Sequence, residues 1–156
     1  MLNIPAGKSL EAPIEFKAGT VIFAEGEISK YLFIVKKGQL RLLKSQGEHL
    51  LVQKVCEEKE ILNEVSVLTN KPLEFSAIAK TDVELILIEQ KDILAVMKNS
   101  PYWVPEIFQT LCRRLHSTLE IIEEHNLLVG EKKTDMFLKQ DEEMKLLNAL
   151  SEYQSH

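Results

Sequence analysis

Leu62-Asn63-Glu64-Val65-Ser66-Val67-Leu68 (residues 62–68) is the stretch on which the fold of this chain turns. Leu62, Val65 and Leu68 stand at helical spacing, so the run over about 60–68 predicts one short helical turn, stopped by Pro72. Its neighbours keep a different rhythm. Upstream, Ile14–Lys17 alternates up to Ala18-Gly19, and Thr20–Phe23 is β-branched and aromatic. Glu25-Gly26-Glu27 turns, Tyr31–Val35 is an apolar run closed by Gly38, and Gln39–Lys44 alternates. Ser45-Gln46-Gly47 signals a hairpin into a strand over His49–Val55. Downstream, Phe75–Lys80 and Val83–Glu89 are strands around Thr81-Asp82. Short strands at regular spacing with glycine turns predict a sandwich or barrel, here with one helical turn inserted.

Beyond Glu89 the pattern is helical. Asp92–Lys98 predicts a short amphipathic helix. Ser100-Pro101 offers an N-cap and a first-turn proline for a long helix running from Tyr102 to about Val129. Gly130 ends it, and Thr134-Asp135 caps a second helix over Met136–Tyr153, whose apolar residues are Met136, Leu138, Met144, Leu147 and Leu150. On the long helix, Phe108, Leu111, Leu115, Leu119, Ile122, Asn126 and Val129 follow spacings of three and four. That stripe predicts a parallel homodimer, with Asn126 as the polar residue that sets register; the alternative is that the face packs on the β-roll.

Composition narrows the function classes. The 156 residues carry a net charge of −5 with no basic block, so nucleic-acid contact is not expected. Arg113-Arg114 is followed at once by Glu120, Glu123 and Glu124 and predicts a solvated helix face. Cys56 and Cys112 are too few for a disulfide framework or a zinc site and are expected to be reduced and half-buried. His49, His116, His125 and His156 are scattered, so no metal site is expected. No signal peptide or membrane span is predicted, and a cytoplasmic location with no membrane contact is the expectation. No nucleophile–base pair or paired-carboxylate motif predicts catalysis, so the chain is expected not to be an enzyme.

Three ordered stretches carry a family resemblance: Glu25-Gly26-Glu27 with Tyr31–Val35 and Gly38-Gln39-Leu40; Leu62–Leu68; and Ser76–Thr81 with Ile86-Leu87-Ile88 and Asp92. Together, from about Ile14 to Val129, they resemble the cyclic nucleotide-binding domain family. This is the effector domain of Crp/Fnr regulators, also found in protein kinase A regulatory subunits and cyclic-nucleotide-gated channels. The resemblance implies a mainly β fold with C-terminal helices: a double-stranded β-helix (jelly roll), a long dimerisation helix and a shorter C-terminal helix. The segments would be an N-terminal arm (1–13), the β-roll (14–100), the long helix (101–130) and a helical tail (131–156).

The resemblance makes residues 62–68 the phosphate-binding cassette and gives the ligand site as Asn63, Glu64, Val65, Ser66, Leu73, Glu74, Phe75, Ser76, Arg114 and Thr118. Glu64 stands where the family accepts a hydrogen bond from the ribose. Asn63 replaces a glycine, and asparagine tolerates the left-handed backbone. Counting back from Ala79-Lys80-Thr81, the family's phosphate arginine falls at Leu73, and the next position is Glu74. Losing a charged hydrogen bond of about 1.5–3 kcal/mol weakens binding roughly ten- to a hundredfold or more. Thr118 falls where the Crp branch meets the purine, and Arg114 would reach the pocket from the helix.

The expected function is a regulatory sensor of a cyclic nucleotide (cAMP or cGMP) or a related small ligand, with weak or altered preference and no required cofactor. It would relay binding through its helices, with a protein partner at the C-terminal helix. The alternative is a dimerising scaffold that binds no nucleotide. A metal-dependent cupin is disfavoured by the missing histidine cluster. With 26 residues after Gly130 and no turn dividing Met136–Tyr153, no DNA-reading domain is expected.

Overall fold

The computed structural model describes residues 12–124 and 138–155, and eight strands form among them. They are β1 (Ile14–Phe16), β2 (Val21–Phe23), β3 (Tyr31–Lys37), β4 (Leu40–Gln46), β5 (His49–Cys56), β6 (Ile61–Leu62), β7 (Ser76–Ala79) and β8 (Val83–Glu89). They make two antiparallel sheets, ordered β1-β8-β3-β6 and β2-β7-β4-β5. Apolar residues from both sheets meet between them, including Ile22, Phe23, Phe33, Val35, Leu40, Leu85 and Leu87. The Phe23 and Phe33 rings sit 5.3 Å apart and are tilted, a favourable aromatic contact.

Gly38 closes the turn from β3 to β4. Its φ is +86°, and a Cβ there would lie 2.3 Å from the carbonyl oxygen of Asp82. The site therefore needs glycine for backbone shape and for space.

The helices are α1 (Glu64–Thr69), α2 (Gln90–Lys98), α3 (Trp103–Glu124) and α4 (Gln140–Gln154). The helical turn expected over 60–68 starts later than its periodicity suggests. Ile61 and Leu62 instead pair with Ile34 and Phe33 as β6. Asn63 then adopts a left-handed conformation, and α1 follows.

Ser100 is not the N-cap of the long helix. Its hydroxyl donates to the Met97 carbonyl at 2.6 Å and closes α2 instead. α3 begins at Trp103, with Pro105 in its first turn, where a missing N–H costs no intrahelical bond. Gly130, Asn126, Val129, the cap at Thr134-Asp135 and the arm up to residue 11 lie outside the described residues. The same holds for the side chains of Cys112, Leu115, His116, Leu119 and Ile122.

α4 packs on the outer face of the second sheet. Leu146 and Leu150 are buried there against Val21, Ala24, Leu43, Leu50 and Ile78, with Leu138, Ala149 and Tyr153 beside them. Glu142 pairs with Arg41, and Glu143 accepts from the Leu50 amide at 2.7 Å. The second sheet is thus a middle layer, which is why all four residues of β7 are buried.

Candidate functional site

The cassette brings most of the expected residues to one pocket. Asn63 sits at φ 70°, ψ 14°, the left-handed region that asparagine tolerates. This aims the first turn of α1 and leaves its opening amides without intrahelical acceptors. Asn63, Glu64, Val65, Ser66, Glu74 and Phe75 all line a pocket of about 220 Å³, with Phe23, Leu42, Lys54, Cys56, Glu60, Ile61 and Leu62 completing its wall. The Asn63 side-chain amide nitrogen is buried there without a hydrogen-bond partner.

The other expected residues lie elsewhere. Leu73 is 3% exposed and packs in the apolar core; it is not part of the pocket wall. Its backbone is clamped, because the Gly26 amide donates to its carbonyl and its own amide donates to the Glu27 carbonyl, both at 2.8 Å. Ser76 is buried, and its hydroxyl accepts from the Glu25 amide at 2.9 Å. Arg114 and Thr118 line a separate open groove on α3 with Thr110, Arg113, Ser117 and Ile121. The Thr118 hydroxyl donates back to the Arg114 carbonyl at 2.8 Å. In a single chain neither residue reaches the cassette pocket.

The pocket wall carries Glu60, Glu64 and Glu74 against one cation, Lys54. Lys54 is committed to Glu60 by a direct ion pair. That hydrogen bond raises the lysine pKa and lowers the glutamate's, so the pair stays ionised. Sequence reasoning missed both residues; the strand parity that places Lys54 inside is set by a bulge that no local pattern announces. Lys44 stands just outside the pocket wall. Its ammonium lies 5.5 Å above the Phe75 ring, donates to the Glu74 carbonyl at 2.9 Å and pairs with Glu25 at 3.0 Å. Cys56 is fully buried, which with nearby Glu60 pushes its thiol up to about 11.

Glu64 and the opening backbone amides of α1 stand at this wall, and the one lysine of the wall is held by Glu60.

Two further faces complete the inventory. Phe108 and Leu111, expected at a dimer seam, are 47% and 57% exposed. Phe108 also borders a cleft of about 480 Å³ between β8, α2 and α3, lined by Leu87, Ile93, Val96, Met97 and Val104. Among the described residues there is no group of histidine, cysteine or carboxylate side chains able to hold a metal, and no helix long and apolar enough to cross a membrane.

Two antiparallel sheets with a short helix at a left-handed turn, followed by a long helix, define a β-roll of the jelly-roll type. Residues 13–100 match the family described as "Cyclic nucleotide-binding domain". This chain belongs to that family. It is 28% identical over 101 residues to the cyclic AMP receptor protein of Thermus thermophilus, covering 64% of this chain and 47% of that one. The crystal structure of the Thermus thermophilus catabolite activator protein superposes with a TM-score of 0.60 at 27% identity, covering 76% of this chain and 56% of that one. The cAMP-bound form of the EAL enzyme Bd1971 shares the fold, with a TM-score of 0.60 at 22% identity over 74% of this chain and 32% of that one. The chain spans about half the length of the curated relatives it matches.

Proposed function

We propose that the chain is a non-enzymatic regulatory module that takes a cyclic nucleotide such as cAMP, or a related small ligand, in the cassette pocket with weak or altered preference. The observation that carries this is the left-handed Asn63, which delivers Glu64, Val65 and Ser66 together to the pocket wall. The altered preference follows from charge. Leu73 has left the wall, Glu74 faces it, and the pocket's lysine is held by Glu60. A phosphate there meets carboxylates where a guanidinium would give about 1.5–3 kcal/mol. Relatives named as cAMP-responsive support the ligand class.

The relay in this reading is α3, paired with a second copy through the stripe that includes Phe108 and Leu111. The exposure of those two side chains supports it. In such a dimer, Arg114 and Thr118 would meet a ligand only if pairing brings their groove to a pocket. A second reading, a scaffold that binds no nucleotide, is favoured by the three carboxylates of the pocket wall.

Isothermal titration with cAMP and cGMP decides between them. Binding in the micromolar to millimolar range, strengthened by Glu74→Ala, is the expected result. No heat with either nucleotide for both proteins leaves the scaffold reading.

A further inference from the structure

We propose that α4 is a strap whose seating on the second sheet opposes ligand entry into the cassette pocket. The ligand half of this rests on the pocket reading above; the mechanical half does not.

The pocket and the strap lie back to back across a single sheet. On β4, Leu42 faces the pocket, while its neighbours Arg41 and Leu43 hold Glu142 and the buried leucines of α4. β5 serves both sides by a different device. Lys54 and Cys56 line the pocket, whereas Leu50 and Val52 pack toward α4, although all four are even-numbered. In a regular strand they would share one face. The pairing shows how they separate: Leu42 pairs with Lys54 and Leu43 with Val52, so Gln53 is an extra residue on β5. This bulge reverses the facing of the strand midway, placing its first half under the strap and its second half in the pocket wall.

A second connection runs through the turn after β2. The Tyr153 hydroxyl lies 3.4 Å from a Glu27 carboxylate oxygen and 3.5 Å from the Ile22 carbonyl. The backbone of Gly26 and Glu27 is bonded on both sides to Leu73, the residue before Glu74 and Phe75 of the pocket wall. The end of α4 therefore rests on the bracket that holds the pocket's distal edge.

Volume gives the sign. The pocket holds about 220 Å³, below the roughly 300 Å³ at which ligand pockets ordinarily begin. Entry of a nucleotide requires its walls to part. Those walls are β4, β5 and the Leu73–Phe75 segment, and α4 is anchored at both sides of them: Glu142 and Glu143 hold β4 and β5, while Tyr153 rests on the Glu27 turn that brackets Leu73, so parting the walls draws its anchorages apart. Widening the pocket loosens the seat of α4, and by reciprocity a seated α4 weakens binding.

The test uses the whole 156-residue chain and amide hydrogen exchange, first without ligand. Leu150→Glu unseats α4. The expected result is lost protection in 140–154 together with 24–27, 50–56 and 73–76, while β3 and β8 stay protected. Lost protection confined to 140–154 overturns the proposal. Should Leu150→Glu fail to fold, seen as lost protection in β3 and β8, Tyr153→Phe decides. Faster exchange at 24–27 and 73–76 with α4 still seated supports the proposal, and exchange there equal to wild type overturns it. The ligand arm uses cAMP. An unseated variant binding about fivefold or more tighter supports the coupling, and equal measurable affinities overturn it. If cAMP binds neither protein, the nucleotide reading falls, and the exchange result alone decides whether the strap and the pocket wall are linked.

Discussion

Asn63 shows how much one residue can be read from sequence. A residue at that place must accept positive φ, asparagine does so at modest cost, and the structure places it there at 70°. Leu73 and Glu74 were legible only in part. The family resemblance put the phosphate arginine's place at Leu73, but no pattern shows that a leucine so placed packs in the core while Glu74 takes the wall. Two residues make sharp predictions. Gly38→Ala places a methyl group 2.3 Å from a backbone oxygen at φ +86°; strain and crowding together should cost about 3 kcal/mol, read from the urea midpoint. The Cys56 thiol, raised from 9.0 to about 11 mainly by burial, binds its proton more tightly when folded. Its stabilising contribution is complete below pH 9 and is lost as pH rises toward 11. Stability should fall over that window, and Cys56→Ala should flatten this part of the profile. A limb unchanged by the substitution would assign the loss to other groups.

Strands and helices were legible as types, and their ends were not. Seven of the strands were located, β1 and β4 by alternation, β2 by its β-branched and aromatic content and β3 by its apolar run, with glycine turns as boundaries; β2 and β7 are buried throughout and carry no alternation. β6 was hidden inside an apparent helical spacing, since Leu62 serves the strand and Val65 the helix. The bulge at Gln53 was equally invisible, because an inserted residue leaves no local mark on composition. The second helix, expected from Met136, begins at Gln140, so Leu138 precedes it, and of the apolar residues expected in it Leu150 is buried against the sheet. Met144 is 58% exposed, while Leu146, Ala149 and Tyr153 turn toward the sheet. A helix seats on whatever shape it meets, and the sequence does not contain that shape locally. Leu150→Ala should therefore cost about 2–5 kcal/mol in chemical denaturation, as buried leucines do. Arg41→Ala, which removes only its ion pair with partly exposed Glu142, should cost roughly 1 kcal/mol or less. Equal losses would mean that the ion pair, not the apolar face, seats the helix.

At the scale of the molecule, the order of parts was legible: a β-roll, a long helix and a shorter helix. Their three-layer stacking was not, because it depends on where the last helix returns. The exposed Phe108 and Leu111 give the whole-molecule prediction. If α3 pairs two copies, the thermal midpoint rises with protein concentration, and sedimentation of Leu111→Glu shows a lighter species than wild type. A concentration-independent midpoint with a single-chain mass for wild type would rule the pairing out.

The outer helix also changes what counts as a separable piece. The family match ends at residue 100, and a protein cut there keeps every strand and the complete cassette wall. It also strips the cover from Val21, Leu43, Leu50 and Ile78, which become one oily patch on the back of the roll. Such a fragment would be prone to self-association, and its behaviour in solution would reflect that patch more than the pocket in front of it. The stretch that the family describes and the stretch that keeps this face covered are, in this chain, different lengths.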